Sequence, residues 1–223
     1  MPNNMRCGQL ISPEALPLSA SDTVGTALQR MAALGLRQYP LSDGGRLSGI
    51  LWEEDLLDLE ADLPLGALEP SARVVSVRGD DPFLSAVRLC QEGSLDMVPV
   101  LDTTDSLLGV VTRDTLFPEL ARLCGASEPG ALIVLGMAPA DYSLAEINRI
   151  VESNDAVVTH LNTVPGPAGQ GMQVHLRLNR ADVASIVAAF RRHDYEIHYQ
   201  PGEDWLHDEL RTNLDHLLTY LNI

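Results

Sequence analysis

The chain has 223 residues, 45% of them hydrophobic, which is enough to build one large domain or two to three small ones. Its 31 acidic and 15 basic residues leave a formal charge of −16, a field that repels phosphate backbones, so nucleic acid is excluded as an expected partner. The longest apolar stretch, Ala131 to Leu135, is far short of the ~20 residues a bilayer span needs, and the opening "MPNNMRCGQL" has no apolar signal core. A soluble, cytoplasmic protein without a membrane partner is expected. Cys7, Cys90 and Cys124 form no CxxC pair and are odd in number, so neither a disulfide framework nor a thiolate zinc site is encoded.

The first element is an extended apolar segment ahead of a helix, in which Asp22 or Ser21 is expected as the cap and Val24, Ala27, Leu28 and Met31 fall at helical spacing. The helix ends near Gly35. A strand through "YPL", a polar turn "SDGGR", a second strand "LSGIL" and a second helix follow. The same order then recurs. At an offset of 59, Ala27 falls on Ala86 and Pro40 on Pro99, and one inserted residue then moves Gly49 onto Gly109. In the second copy Asp81-Pro82 is the helix start signal, with Pro expected at the first helical position, and Gly93 is the stop. The pattern is β-α-β-β-α, twice. A unit of about fifty residues buries little by itself, so the two are expected to pack sheet to sheet as one pseudo-twofold body.

Arg37, Tyr39, Pro40, Leu41, Asp43, Gly49 and Asp55 in the first copy, and Val98, Pro99, Val100, Asp102, Gly109, Thr112 and Asp114 in the second, resemble the CBS domain, and a tandem pair resembles a Bateman module. The expected boundaries are 12–62 and 68–122.

From 131 the pattern changes to βαββαβ, the ferredoxin-like arrangement, over 130–201. "ALIVLGMA" is the first strand. In the following helix Leu144, Ile147 and Ile150 share a face. "AVVTHLNTV" and "GMQVHLRLN" form a hairpin, "RADVASIVAAFRRHD" a helix and "YEIHYQ" the last strand. "SLAEINRIVESNDAVVTHL" is similar to the ACT domain, and the CBS-CBS-ACT order resembles acetoin utilisation proteins. Residues 203–223 place Trp205, Leu206, Leu210, Leu214, Leu217, Leu218 and Leu221 close to one helical face, which needs a cover from this chain or a second copy. The fold class is thus α+β, a CBS pair followed by an ACT-like domain and a C-terminal amphipathic helix.

The CBS resemblance implies an adenosine-type ligand (AMP, ADP, ATP or S-adenosylmethionine) in a cleft between the repeats and no required cofactor. It assigns apolar contacts to Tyr39, Pro40, Val98 and Pro99, a phosphate contact to Thr112, and ribose hydroxyls to Asp55 and Asp114. A carboxylate can accept from both hydroxyls at once. Arg37 and Arg113 are placed either at phosphates or, as is more usual for lone arginines in so acidic a chain, in surface ion pairs. The two copies depart from the family pattern differently. The first keeps Asp55 but has Trp52 in place of Ser or Thr. The second keeps Thr112 but has Thr115 at the Asp position, with Asp114 one residue early. Asp114 is either a displaced ligand or a helix cap, and Asp55 is expected to carry more of the affinity. Two readings of function follow: a regulatory protein sensing a nucleotide, or an interaction scaffold with degenerate sites.

In the ACT-like part Tyr142 stands where the family has a ligand-approaching Gly. His160 and His175 are expected to face each other across the hairpin, without a third ligand, so no metal site is assigned. No GxSxG, HExxH or GxxxxGK motif occurs and no catalytic residue is assigned. A homodimer is expected, because CBS pairs resemble modules that associate through helical faces and self-complementary patches favour twofold assemblies.

Overall fold

The structure is a computed structural model that describes residues 5–68 and 75–201. They divide into two compact units, up to Leu120 and from Ala121 onward. The C-terminal stripe at 203–223 lies outside the described residues.

In the first unit each repeat forms a three-stranded sheet. Repeat one has β1 (Leu18–Ser19), α1 (Val24–Leu34), β2 (Gln38–Asp43), β3 (Arg46–Trp52) and α2 (Glu53–Leu56). Repeat two has β4 (Val77–Arg78), α3 (Phe83–Glu92), β5 (Met97–Leu101), β6 (Leu107–Thr112) and α4 (Arg113–Leu123). The first strand of each runs parallel to the second, and the second and third form a hairpin.

Pro40 and Pro99 sit in central strands, where a missing N–H normally breaks the ladder. The short first strands resolve this. β1 pairs only with Leu41 and Ser42, and β4 only with Val100 and Leu101, so neither proline is asked to donate on that side.

The inserted residue that changes the offset lies in the hairpin loops. Repeat one turns on Gly44-Gly45, both at positive φ, whereas repeat two uses Thr103 to Asp105, with Asp105 at φ 65°. These are a two-residue and a three-residue loop. Both hairpins carry a register shift at the same place, between Leu41 and Ser42 and between Val100 and Leu101. Opposite the second stands Gly109 at φ 152°, where a Cβ would lie 2.5 Å from Ile11 Cγ2. The glycine of the repeated motif is therefore required here by backbone conformation and by the segment packed on it.

Two expected caps move. α1 is capped by Thr23, whose Oγ1 accepts from Thr26 N at 3.3 Å, while Asp22 turns back to accept from Ser19 N at 2.8 Å. Pro82 is the N-cap of α3 rather than its first residue, because it is held in a bridge to Arg6 and Phe83 N donates to Met5 O.

The lead-in segments are exchanged between the repeats. Residues ahead of repeat one dock on repeat two, with Cys7 N donating to Asp81 O and Gly8 N to Gly79 O. Residues ahead of repeat two dock on repeat one, with Leu65 N donating to Asp22 O and Gly66 N to Ala20 O. The cores interlock as well, since Met97 and Val110 join the core of repeat one, and Trp52 packs on that of repeat two.

The second unit is a four-stranded antiparallel sheet in the order β10-β7-β9-β8, built from β7 (Ala131–Met137), α5 (Leu144–Glu152), β8 (Val158–Pro165), β9 (Met172–Leu178), α6 (Ala184–Arg192) and β10 (Glu196–Tyr199). This is the expected ferredoxin-like topology. Ile133, Leu135, Val174, Leu176 and Leu178 present one sheet face to Ile147, Ile150, Ile186 and Phe190 of the helices, all essentially fully buried. Leu144 is an exception to the expected helix face. It is the first residue of α5 and is exposed, and Val151 takes its place in the core.

Candidate functional site

A polar cavity of the first unit lies where the chain entering repeat one meets both repeats. It has a volume of about 380 Å³ and is walled by Ser12, Pro13 and Glu14 of the entering segment, Leu34 to Leu36 at the end of α1, Asp96, and Thr112 to Thr115 at the start of α4. Ser12 N donates to Val110 O at 2.8 Å, which fastens the entering chain alongside β6 and forms this wall.

The first turn of α4 is built by two threonines. Thr115 N donates to Thr112 Oγ1 at 3.3 Å, Thr112 N donates to Thr115 Oγ1 at 3.0 Å, and the Thr115 hydroxyl donates to Thr112 O at 3.0 Å. This is a reciprocal cap with Thr in the place usually held by Glu. Thr112 is thus the cap, and Asp114, within the helix on the cavity wall, is not. The Thr115 hydroxyl, at the family's Asp position, has its donor and one acceptor site spent on the backbone.

Asp96 organises the cationic side. Its carboxylate accepts from Arg37 N at 3.1 Å, Arg37 Nε at 3.0 Å and Arg37 Nη2 at 3.0 Å, and lies 3.1 Å from Arg113 Nη1. These bonds from Arg37 hold the Asp96 carboxyl below the usual carboxylate range, against burial, which acts in the opposite direction. Arg113 Nε also donates to Leu95 O at 2.9 Å. Arg37 and Asp96 occupy equivalent positions, 59 apart, so the pseudo-twofold places an acid against a base where a strict repeat would place like against like. That offset was the available signal for Asp96, which motif reading alone passes over.

Of the predicted residues, the cavity wall takes Thr112, Arg113 and Asp114, and Arg37 reaches it through Asp96. Tyr39, Pro40, Val98 and Pro99 do not line it. They are buried on the central strands, Tyr39 in the core of repeat one and Val98 in that of repeat two. Arg37 and Arg113, expected either at phosphates or in ion pairs, both pair with Asp96. Asp55 is exposed in the short α2, beside the half-buried Trp52. The segment equivalent to Ser12–Glu14 in that half falls within residues 69–74, outside the described residues.

The CBS-domain profile matches residues 7–62 and 65–122, just over half of the chain. The chain belongs to the CBS-domain family. Its matched segments include the exchanged lead-ins at Cys7 and Leu65. An inosine-5'-monophosphate dehydrogenase from Methanocaldococcus jannaschii is 24% identical over 148 residues, 63% of this chain and only 29% of that protein. Among solved structures, a CBS domain pair/ACT domain protein from Thermotoga maritima is 25% identical with a TM-score of 0.48, covering 53% of this chain and 98% of that one. The complex of CBSX2 with AMP is 23% identical with a TM-score of 0.44, covering 53% and 97%.

In the ferredoxin-like unit, Tyr142 is half-buried and packs against the core. The expected His160–His175 pair is not formed. His160 stands opposite Arg177, and His175 opposite Asn162. The cause is the loop. Gly166 N donates to Gly171 O, and Gly169 and Gly171 adopt positive φ, so the turn centres beyond Ala168 rather than before it and the register moves by two residues. Among the described residues, no group of three or more His, Cys, Asp or Glu side chains is arranged to hold a metal, and no helix is long and apolar enough to cross a membrane.

Proposed function

We propose that this protein is a non-catalytic regulatory protein whose CBS pair binds one adenosine-type ligand per chain in the cavity at Thr112, and that the ligand state is passed to the ACT-like domain through α4. The carrying observation is the cavity itself, of a volume within the range of about 300–1,000 Å³ common to small-molecule sites. Its walls offer hydroxyls at Ser12 and Thr112 and carboxylates at Glu14 and Asp114. In this reading Asp114, not Asp55, supplies the ribose contact. The same helix that begins on the cavity wall leads through Leu123 into the loop before β7, which gives the ligand a covalent path to the second unit.

The charge balance selects among adenosine compounds. The wall holds Glu14, Asp96 and Asp114 against Arg113, which is already paired with Asp96. A triphosphate meets net negative charge here, whereas AMP or the cationic S-adenosylmethionine is better accommodated. Calorimetric titration with AMP, ADP, ATP and S-adenosylmethionine tests this, with one site per chain and ATP the weakest as the expected result. Absence of heat and of thermal stabilisation with all four at millimolar concentration would reject it.

The second reading, a dimeric scaffold with degenerate sites, is favoured by Thr115 and by the commitment of both arginines to Asp96. For either reading we infer a homodimer through the helical face of the CBS pair. Leu57 and Phe117, equivalent residues of the two repeats, are 64% and 70% exposed, and Phe117 borders an apolar groove of about 270 Å³ with Val87, Leu116 and Leu120. Light scattering on the full chain and on Phe117→Glu distinguishes dimer from monomer directly.

A further inference from the structure

The sheet of the ferredoxin-like unit has a second face, opposite the helices, and its chemistry is unusual for so acidic a chain. On β9, His175 and Arg177 alternate with the buried Val174, Leu176 and Leu178, so both lie on this second face, about 6.6 Å apart at the usual strand rise. On β8, His160 and Asn162 stand opposite Arg177 and His175. On β7, Leu132 and Val134 flank the same two residues from the other side. The result is a basic, imidazole-rich patch with apolar neighbours.

Three nitrogens of this patch, His160 Nδ1, His175 Nε2 and Arg177 Nε, are buried and have no hydrogen-bond partner among the described residues. A buried polar atom left unpaired costs about 1–3 kcal/mol, so three on one patch call for partners, and the guanidinium Nε among them for an acceptor. Part of the patch is already partnered. Arg177 Nη2 donates to the Glu128 carbonyl, and the Glu128 carboxylate lies 3.7 Å from His160 Nδ1. Glu128 does not reach a hydrogen bond with His160, and among the described residues nothing pairs with Arg177 Nε or His175 Nε2.

We propose that this face binds a carboxylate group, with Arg177 Nε and His175 Nε2 as the donors and His160 at the edge of the site. A cation is disfavoured because the guanidinium between the imidazoles is permanently charged. A phosphate dianion is disfavoured because the Glu128 carboxylate already stands beside His160, leaving Arg177, the patch's one permanent cation, to balance about one further negative charge. A carboxylate matches both the charge and the need for two acceptors. The carboxylate belongs either to a small molecule or to an acidic side chain of this chain's residues 203–215. Nothing in this site depends on the nucleotide cavity.

The test is nuclear magnetic resonance of the imidazole side chains in the full chain, titrated with sodium acetate against sodium chloride at matched ionic strength, with inorganic phosphate and nickel chloride as comparison arms. A saturable shift of the His175 signals by acetate, weakened at least tenfold in Arg177→Gln and retained in part by Arg177→Lys, is the expected result. A second full-length protein carries amides at Glu203, Asp204, Asp208, Glu209 and Asp215. A response to acetate only in that protein identifies the chain's own carboxylate as occupant and also supports the site. No acetate response in either protein, or an equal or stronger response to phosphate or nickel, overturns it. Should Arg177→Gln fail to fold by circular dichroism, His175→Gln provides the same comparison, with the His160 signals as the readout.

Discussion

Replacing Asp96 by Ala removes the residue that joins the two repeats electrostatically, and its cost can be worked from the bonds it makes. The carboxylate is nearly buried and takes three hydrogen bonds from Arg37, including one from the backbone amide, while Arg113 lies within ion-pair distance. The guanidinium arms are half exposed and return to water on mutation, so their share is small. Most of the cost falls on the Arg37 amide, which loses a charged acceptor, at about 1.5–3 kcal/mol. A loss of about 2–3 kcal/mol at pH 7 is expected, read from urea unfolding.

The pH dependence follows from the depressed carboxyl. A carboxylate whose folded pKa lies below its unfolded value, about 3.9, contributes stability that is fully present above that value and is lost as pH falls through the folded one. The difference between wild type and Asp96→Ala should therefore be largest near neutrality and shrink below about pH 4. A loss under about 0.5 kcal/mol at pH 7, or a difference unchanged on going to about pH 3, would refute the reasoning.

Gly109→Ala combines positive-φ strain with a Cβ against Ile11 and should cost at least about 1–3 kcal/mol by thermal unfolding, more than Gly45→Ala, whose Cβ meets nothing. Thr115→Asp restores a carboxylate at the family's position, but with Asp114 already supplying the ribose contact calorimetry should show affinity for adenosine-type ligands changed by less than about threefold. A gain of about 10- to 100-fold would show that Asp114 does not fill that role. Among the thiols, burial pushes Cys90 up to about 11 and raises Cys7 as well, whereas Cys124 is exposed. Ellman's reagent at about pH 8 should find one fast thiol in the native protein and three after unfolding.

The repeat, the order of elements and both fold classes were legible in the sequence because they rest on local signals. These are hydrophobic periodicity, turn residues such as Gly44-Gly45, and the 59-residue offset that set Ala27 on Ala86 and Pro40 on Pro99. What those signals leave open is anything set by a partner distant in the chain. Thr23 rather than Asp22 caps α1 because Asp22 has a competing donor in Ser19, and Pro82 is excluded from α3 by its bridge to Arg6. The cavity is further from sequence reach, because Ser12–Glu14 and Thr112–Thr115 meet only through the exchange of lead-in segments between repeats. The same holds for the hairpin of the second unit. Its two histidines are correctly placed on one face by alternation, but their partners depend on where a six-residue glycine-rich loop closes, and a two-residue change there keeps every side chain on its face while replacing a His–His pair with His–Arg. Face is a property of the strand's own period, whereas register is a property of two strands together, and only the folded chain supplies the second.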